Sequence, residues 1–290
     1  MSPQRSGAAD NADVGDPRAL GALLRRHGIR AATSIGQHFL VDPDALAAIV
    51  DAADLAPGDD VLEVGPGPGV LTGALAARAR SVTAVEVDPR MVALLRETQA
   101  GRENVRVVEA DALAIDLFAA GERPPTRIVA NLPYQITSPL LIRFLGDPRR
   151  PSRVVVLVQA EVARRIVATE SDAKERGYLS VFCQSYAAAR IVRSVPRGSF
   201  RPAPRVDSAI VVFETHPAPR FAPLAAEPFL RLVSDVFRHR RKQLRAALTY
   251  EAGVDRDRAT VALRFAGIDP ARRAEQLALD EWVALARAIG

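Results

Sequence analysis

The sequence predicts an α/β fold, in which a mostly parallel sheet with an antiparallel edge precedes a small all-helical C-terminal domain. Short apolar runs alternate with helix-length stretches from about residue 58 to residue 158, a pattern typical of parallel strands covered on both faces. Beyond residue 216, apolar residues recur at helical spacing as far as the C-terminus. The segment His216-Pro217-Ala218-Pro219 separates the two patterns and is typical of a stiff linker.

The individual elements follow from these runs. The predicted parallel strands are rich in valine and other β-branched residues, and they span 61–64, 82–85, 105–108, 128–130 and 154–158. Two later runs lie closer together along the chain and predict the antiparallel edge pair, at 190–195 and 208–213. The predicted helices show helical periodicity and span 70–80, 89–96, 229–238, 242–250, 259–265 and 281–289.

The composition is that of a globular protein, with 48% hydrophobic and 25% charged residues, and no apolar run approaches the roughly 20 residues that span a membrane. The net charge of +5 is concentrated after His216, which makes an anionic polymer a reasonable partner. The single cysteine, Cys183, allows no internal disulfide, and its apolar neighbours predict a buried structural thiol. That usage fits a reducing, cytoplasmic compartment. Met1 to Asp16 is polar, which predicts a disordered leader.

The tetrapeptide Asn131-Leu132-Pro133-Tyr134 follows a predicted strand directly. An amide oxygen and a neighbouring main-chain carbonyl can both accept hydrogen bonds from an exocyclic amine, and a tyrosine ring can stack on a base. These groups together predict a clamp for an amine-bearing ring such as adenine. Taken alone, the tetrapeptide is explained equally well as a strand that ends in a proline turn, with a half-buried tyrosine.

A glycine-rich loop, Glu63-Val64-Gly65-Pro66-Gly67-Pro68-Gly69, connects the first predicted strand to a helix. Glycines let the backbone turn sharply and approach a ligand closely at the switch point of an open α/β sheet. The spacing differs from the Gly-x-Gly-x-x-Gly that usually binds a pyrophosphate, and Pro68 lacks the N–H that a phosphate would use. A plain tight turn is the alternative explanation of this loop.

Two acidic residues strengthen the case for a cofactor site. Glu86 ends the second predicted strand, where a carboxylate can accept hydrogen bonds from both hydroxyls of a ribose. Asp111 follows the third strand and can accept from the amine of an adenine. Each could instead be a helix N-cap or a solvated charge. The glycine loop, Glu86 and Asp111 follow three successive predicted strands. Together they predict a cofactor that contains a nucleoside.

The glycine loop, the two acids and the tetrapeptide resemble the Rossmann-like class I methyltransferases that use S-adenosylmethionine to methylate adenine N6. Three further segments are Gly36–Leu40, Tyr178–Val181 and Phe200–Ser208. With them, the chain from about residue 29 onward is similar to the bacterial ribosomal RNA small-subunit adenine dimethyltransferases, the RsmA (KsgA) family.

That resemblance implies S-adenosyl-L-methionine as the cofactor. It implies the transfer of two methyl groups to each of two adjacent adenosines in the 3′-terminal hairpin loop of 16S rRNA, with a role in small-subunit biogenesis. It also implies three parts of the chain: a leader and N-terminal helix over residues 1–28, a catalytic domain over 29–215 and a helical RNA-recognition domain over 216–290. We expect a monomer, and we expect no metal.

The resemblance assigns roles to particular residues. Those expected around the cofactor are His38, Leu40, Gly65, Gly67, Glu86, Asp111 and Asn131. Those expected at the reacting base are Asn131, Leu132, Tyr134 and Phe200. His38 departs from the pattern, because the family usually has asparagine at this position.

A basic run near the C-terminal end is the candidate RNA contact, since closely spaced cations can bind successive phosphates. Its cations are Arg238, Arg240, Arg241, Lys242 and Arg245. The alternative is a solvated helix face.

Three other functions remain open on the sequence alone. The first is a 23S rRNA adenine N6-methyltransferase of the erythromycin-resistance type, which shares the cofactor site; Leu132 and the Phe200–Ser208 segment favour the small-subunit substrate. The second is a nicotinamide-dependent oxidoreductase, which the glycine spacing and the tetrapeptide oppose. The third is a non-catalytic RNA-binding assembly factor on a methyltransferase scaffold, and the intact glycines and acids argue against it.

Overall fold

The computed structural model describes residues 17–29 and 38–290. The predicted leader and the first residues of the Gly36–Leu40 segment lie outside the described residues. The strands are β1 Phe39–Leu40, β2 Asp60–Val64, β3 Ser81–Glu86, β4 Val105–Glu109, β5 Arg127–Asn131, β6 Arg153–Gln159, β7 Ala187–Val195, β8 Phe200–Arg201 and β9 Ser208–Thr215. The α-helices are α1 Pro17–Arg26, α2 Pro43–Ala53, α3 Val70–Ala76, α4 Pro89–Thr98, α5 Thr137–Gly146, α6 Ala160–Val167, α7 Tyr178–Tyr186, α8 Ala226–Phe237, α9 Leu244–Tyr250, α10 Arg256–Phe265 and α11 Leu279–Ile289.

The main sheet has seven strands in the order β4-β3-β2-β5-β6-β9-β7. The pairs β2–β3, β2–β5 and β3–β4 are parallel, with Val61 opposite both Val82 and Arg127. Chain order therefore reverses beside β2, and in open α/β sheets such a reversal marks the ligand-binding edge. The predicted α/β fold is confirmed, and each predicted strand lies within an observed one.

Burial explains why these runs form strands. Every residue from Val154 to Val158 in β6 is fully buried, as expected for a central strand with both faces covered. The edge strand β4 instead contains only half-buried and exposed residues. Local signals set the helix starts: Asp42 and Asp88 accept hydrogen bonds from backbone N–H groups at the starts of α2 and α4, and each precedes a proline.

The described chain divides into two compact units. The first comprises the described residues as far as Ile136, together with Val155–Leu157 and Val195–Asp207. In this unit β1 and β8 form a short antiparallel pair, with Phe39 opposite Arg201 and Leu40 opposite Phe200. The sequence does not predict this pair, because strands of two residues show no periodicity.

The second unit comprises Thr137–Val154, Val158–Ser194 and Ser208–Gly290. Its last part is helical, as predicted, and the buried face of α8 there includes Val233 and Val236. In α11 the Trp282 ring packs 5.5 Å from the Phe237 ring. The domain boundary predicted near residue 216 stays a prediction. Among the described helices, none combines the length and apolar character needed to cross a bilayer.

Candidate functional site

A cavity of about 360 Å³ lies in the first unit, where β2, β3 and β5 end. This volume falls within the range of about 300–1,000 Å³ typical of small-molecule sites. Nine of the residues predicted from the sequence line it: His38, Leu40, Gly65, Gly67, Glu86, Asp111, Asn131, Leu132 and Tyr134. Residues that are as many as 96 positions apart in the chain, from His38 to Tyr134, thus meet at one edge of the sheet.

The glycine loop forms one wall of this cavity, and its backbone requires glycine. Gly65, Gly67 and Gly69 all have positive φ, at 69°, 55° and 91°. Residues with a Cβ rarely adopt this backbone region. A Cβ on Gly65 would lie 3.2 Å from the Pro133 ring, and one on Gly67 would lie 3.3 Å from the Phe39 ring. The loop therefore contacts the tetrapeptide and β1 closely.

Glu86 presents a carboxylate to the cavity at the end of β3. Its Oε1 accepts hydrogen bonds from the backbone N–H groups of Val87 (2.9 Å) and Asp88 (3.1 Å). Burial raises the pKa of Glu86, whereas hydrogen bonds from the backbone at Asp88, Val87 and Gly67 oppose that rise. These bonds fix the carboxylate, so that it can accept from hydroxyl groups of a ligand without rearranging.

Asp111 lies two residues beyond β4 and is exposed at the edge of the cavity. Its Oδ1 accepts from the backbone N–H of Leu113 at 2.8 Å. Val87, on the loop after β3, also lines the cavity and is exposed. A planar apolar ligand with an amine at its edge can therefore contact Val87 and Asp111 together.

The side chain of Asn131 is oriented by the backbone of His38. Asn131 ends β5, and its Nδ2 donates to the His38 carbonyl oxygen at 3.4 Å. A carbonyl can only accept a hydrogen bond, which fixes the orientation of the amide. The Oδ1 atom is therefore the polar atom of this side chain that a ligand in the cavity can use as an acceptor. The backbone beside it is anchored too, since Leu132 N–H donates to the Leu157 carbonyl at 3.1 Å.

Tyr134 packs against the His38 ring, with the ring centroids 5.5 Å apart and the planes inclined at 31°. His38 Nδ1 lies 2.8 Å from the Pro202 carbonyl oxygen. Since that oxygen only accepts, Nδ1 carries the proton. His38 therefore joins the tetrapeptide to the segment that contains β8.

Phe200 is placed differently from the other predicted residues. Its side chain is fully buried in β8 and does not line the cavity. The neighbouring Ser199 hydroxyl hydrogen-bonds Asp42 Oδ2 at 2.6 Å, which ties this strand to the start of α2. The base contact that the resemblance implies for Phe200 stays a prediction.

Glu63 also lines the cavity, although the sequence predicted no role for it. Its side chain is 1% exposed, and its Oε2 accepts from Thr72 Oγ1 at 2.6 Å. Burial raises the pKa of Glu63 to about 8; the Thr72 hydrogen bond opposes the rise and the nearby Glu86 adds to it. The signal in the sequence was an acid inside the apolar strand Val61–Val64, since a buried carboxyl is costly unless it has a use.

The basic run lies in the second unit: Arg238 to Lys242 lie in the turn between α8 and α9, and Arg245 lies at the start of α9. Arg238 pairs with Asp235, Lys242 pairs with Glu251, and Arg240 donates to the carbonyls of Ala173 and Lys174. Within the described part of the chain, the exposed side chains of Arg241 and Arg245 have no hydrogen-bond or ion-pair partner.

Two other groups bear on the chemistry. Cys183 is fully buried, and burial raises the pKa of its thiol, so it is a poor nucleophile in the folded protein. Across residues 17–29 and 38–290, no group of three or more His, Cys, Asp or Glu side chains is arranged to hold a metal ion.

Comparison with known proteins identifies a family. Residues 28–289 match the family model described as ribosomal RNA adenine dimethylase. A protein of Moorella thermoacetica named ribosomal RNA small subunit methyltransferase A is 41% identical over 285 residues, covering 95% of this chain and 98% of that protein. A protein of the same name from Deinococcus radiodurans is 42% identical over 290 residues, covering 99% of this chain and 96% of its own.

Two solved structures have similar folds. A dimethyladenosine transferase from Plasmodium falciparum superposes with a TM-score of 0.73 at 25% identity, and the match covers 86% of this chain and 96% of that one. The 23S rRNA methyltransferase ErmE superposes with a TM-score of 0.65 at 31% identity, covering 87% and 99%. Relatives named for the small subunit are thus more similar in sequence than this large-subunit enzyme.

Proposed function

The chain belongs to the ribosomal RNA adenine dimethylase family, and we propose that it methylates N6 of two adjacent adenosines in the 3′-terminal hairpin loop of 16S rRNA, with two methyl groups on each. The methyl groups come from S-adenosylmethionine. The observation that supports this proposal best is the Asn131 amide, whose Nδ2 is directed at the His38 carbonyl. That contact leaves an acceptor, Oδ1, in the wall of a cavity of about 360 Å³.

The cavity fits the cofactor in shape and in the chemistry of its lining. Glu86 is a fixed carboxylate suited to the two ribose hydroxyls, and Asp111 is an acceptor suited to the adenine amine. Gly65 and Gly67 provide a surface without side chains for the methionine part, and His38 and Leu40 also line the cavity. When bound, S-adenosylmethionine supplies an electrophilic methyl group for in-line displacement.

The residues of the tetrapeptide prepare the target amine for methylation. The N6 amine of adenine is a poor nucleophile because its lone pair is delocalised into the ring. Acceptors at Asn131 Oδ1 and the Leu132 carbonyl favour a tetrahedral nitrogen and stabilise the positive charge that develops on it. Tyr134 stacks on the base after it leaves the RNA stack, which offsets part of the cost of extraction. The tetrapeptide contains no histidine or lysine, in keeping with a reaction in which the proton leaves only after transfer.

We also propose that the helical segment over residues 216–290 recognises the RNA. Arg241 and Arg245 are its best candidates for phosphate contacts, because their charges are not neutralised by a neighbour in the described part of the chain.

The catalytic proposal is tested with the substitution Asn131→Ala. We expect methyl transfer to unmodified small ribosomal subunits to fall by at least 100-fold, because the positioned acceptor for the amine is lost. Affinity for S-adenosylmethionine, measured by calorimetry, should change much less, since Glu86 and Asp111 are intact. Mass spectrometry of the digested RNA, from parallel assays with small and large subunits, identifies the methylated nucleoside and the rRNA that carries it. Near-normal transfer by Asn131→Ala, or modification of 23S rRNA instead, would reject the proposal.

A further inference from the structure

His38 is the residue through which three parts of the first unit meet. It precedes β1 directly, and β1 pairs with β8, which brings position 38 opposite Pro202. The imidazole Nδ1 donates to the Pro202 carbonyl at 2.8 Å, whereas the backbone oxygen accepts from Asn131 Nδ2 at 3.4 Å. One residue therefore contacts the amide of the tetrapeptide through its backbone and the β8 segment through its side chain.

The side chain has a second contact, on the tyrosine of the tetrapeptide. The His38 and Tyr134 ring centroids are 5.5 Å apart with the planes inclined at 31°, an arrangement within the range of favourable ring pairs. Because Nδ1 is held by Pro202, the imidazole cannot rotate about its χ angles without losing that hydrogen bond. The His38 ring thus supports the Tyr134 ring in one orientation.

We propose that the His38 imidazole is a positioning residue, which holds the Tyr134 ring in the orientation that stacks on the target adenine. This role rests on the proposed function and goes beyond it, because the resemblance places His38 at the cofactor and gives it no role toward the base. The backbone contact to Asn131 does not depend on the side chain at position 38. The ring contact does, so substitutions at this position separate the two.

Two substitutions separate the hydrogen bond from the ring. His38→Asn places an N–H where Nδ1 lies and can retain the bond to Pro202, but it has no ring. His38→Phe retains a ring and has no donor. We expect His38→Asn to lower kcat for 16S rRNA by about 2- to 10-fold, in line with about 0.5–1.5 kcal/mol for a ring pair, while the Kd for S-adenosylmethionine changes less than 2-fold. We expect His38→Phe to retain more of the wild-type kcat than His38→Asn does.

A double-mutant cycle tests whether the effect runs through Tyr134. In a Tyr134→Ala background, His38→Asn should lower kcat no further. If the loss is equally large with and without Tyr134, or if affinity for the cofactor falls in proportion to kcat, the positioning role is wrong.

A readout that needs no methyl transfer keeps the two proposals apart. The protein contains four tyrosines, and fluorotyrosine labelling gives a fluorine resonance for Tyr134, assigned with Tyr134→Phe. We expect His38→Asn to shift or narrow that resonance as the ring becomes mobile, with a smaller change in His38→Phe. The matched control is His216→Asn, because the His216 imidazole does not line the cavity. An unchanged Tyr134 resonance in His38→Asn overturns the inference, whereas an inactive wild-type enzyme overturns the proposed function instead.

Discussion

At the scale of single residues, Glu63 shows how a local exception marks a site. It is the one acid between Val61 and Val64 in a strand that is otherwise suited to a core, and the structure places it under the cavity with Thr72 as its hydrogen-bond partner. A carboxyl in such a place is protonated over much of the physiological pH range, because burial raises its pKa to about 8. A cationic ligand in the cavity favours the ionised form and so lowers that pKa.

The pH dependence of stability follows from this shift. The pKa of Glu63 is higher in the folded protein than in the unfolded chain, where it is near 4.5. Its stabilising contribution is therefore fully present below pH 4.5 and is lost as the pH rises through about 8. A shift of this size corresponds to at most about 4–5 kcal/mol.

We expect Glu63→Gln, without ligand, to remove this part of the pH dependence. The free energy of unfolding of the variant minus that of the wild type should increase as the pH is raised from 5 to 9, as measured by urea unfolding at each pH. A difference between the two proteins that stays constant across that range would show that Glu63 does not titrate as described.

Residue-scale contacts were the part of the site least accessible from the sequence. Acidic residues and the amide could be assigned because their positions at strand ends follow from the predicted sheet. The contact between Asn131 and His38 joins residues 93 apart, and that between His38 and Pro202 joins residues 164 apart. Both depend on the two-residue pairing of β1 with β8, which has no signature in the sequence.

At the scale of elements, the loop between β2 and α3 depends on glycine for two separate reasons. At Gly69 the backbone has φ of 91°. A Cβ there would overlap Gln99 Nε2, just beyond α4, and would lie 2.7 Å from Leu95 Cδ1 in α4. Gly101 has a similar φ of 82°, but a Cβ there would meet nothing within 4 Å. The two positions therefore share the backbone requirement and differ only in packing.

Alanine at the two positions separates backbone strain from crowding. We expect Gly101→Ala to cost about 1–2 kcal/mol of unfolding free energy, the usual cost of this backbone region for a residue with a Cβ. Gly69→Ala should cost about 1–3 kcal/mol more, because α4 must also shift. Denaturant unfolding of both variants measures the difference. Equal losses would mean that the side chains of Gln99 and Leu95 adjust freely.

The strands of the main sheet and the helices beyond residue 216 were predictable, for a physical reason. Runs such as Val154–Val158 are buried on both faces, so their continuous apolar sequence predicts a strand clearly. Helices α8 and α11 each bury one face, so their apolar residues recur at helical spacing. The helix predicted over 70–80 ends earlier, at Ala76. Over residues 78–81 the backbone N–H groups donate instead to the carbonyl oxygens of Leu75 and Asp59, and the chain then continues into β3.

At the scale of the whole molecule, the net charge of +5 suits a polyanionic substrate, but the charges differ in how far they are neutralised. Most of the basic run is engaged by carboxylates or carbonyls, whereas Arg241 and Arg245 are exposed without such partners in the described part of the chain. Only a cation that replaces counterions on the RNA contributes to the salt dependence of binding.

We therefore expect Arg241→Ala and Arg245→Ala each to reduce the slope of log affinity against log salt concentration by about 1. The matched control is Arg231→Ala, which removes an arginine that is also exposed but pairs with Glu227 on α8. Filter binding of small-subunit RNA between low and moderate salt measures the slopes. The same decrease in all three variants would indicate a general effect of net charge rather than phosphate contacts by Arg241 and Arg245.

The buried cysteine has a practical consequence for studying these steps. Because Cys183 is the only cysteine and is fully buried, thiol-reactive probes can attach to the folded protein only where a new cysteine is introduced. A fluorophore or spin label at one chosen surface position therefore reports on that position alone. Without such a substitution, the Cys183 thiol reacts only when the core around α7 opens. Its rate of labelling therefore measures how often that core opens spontaneously.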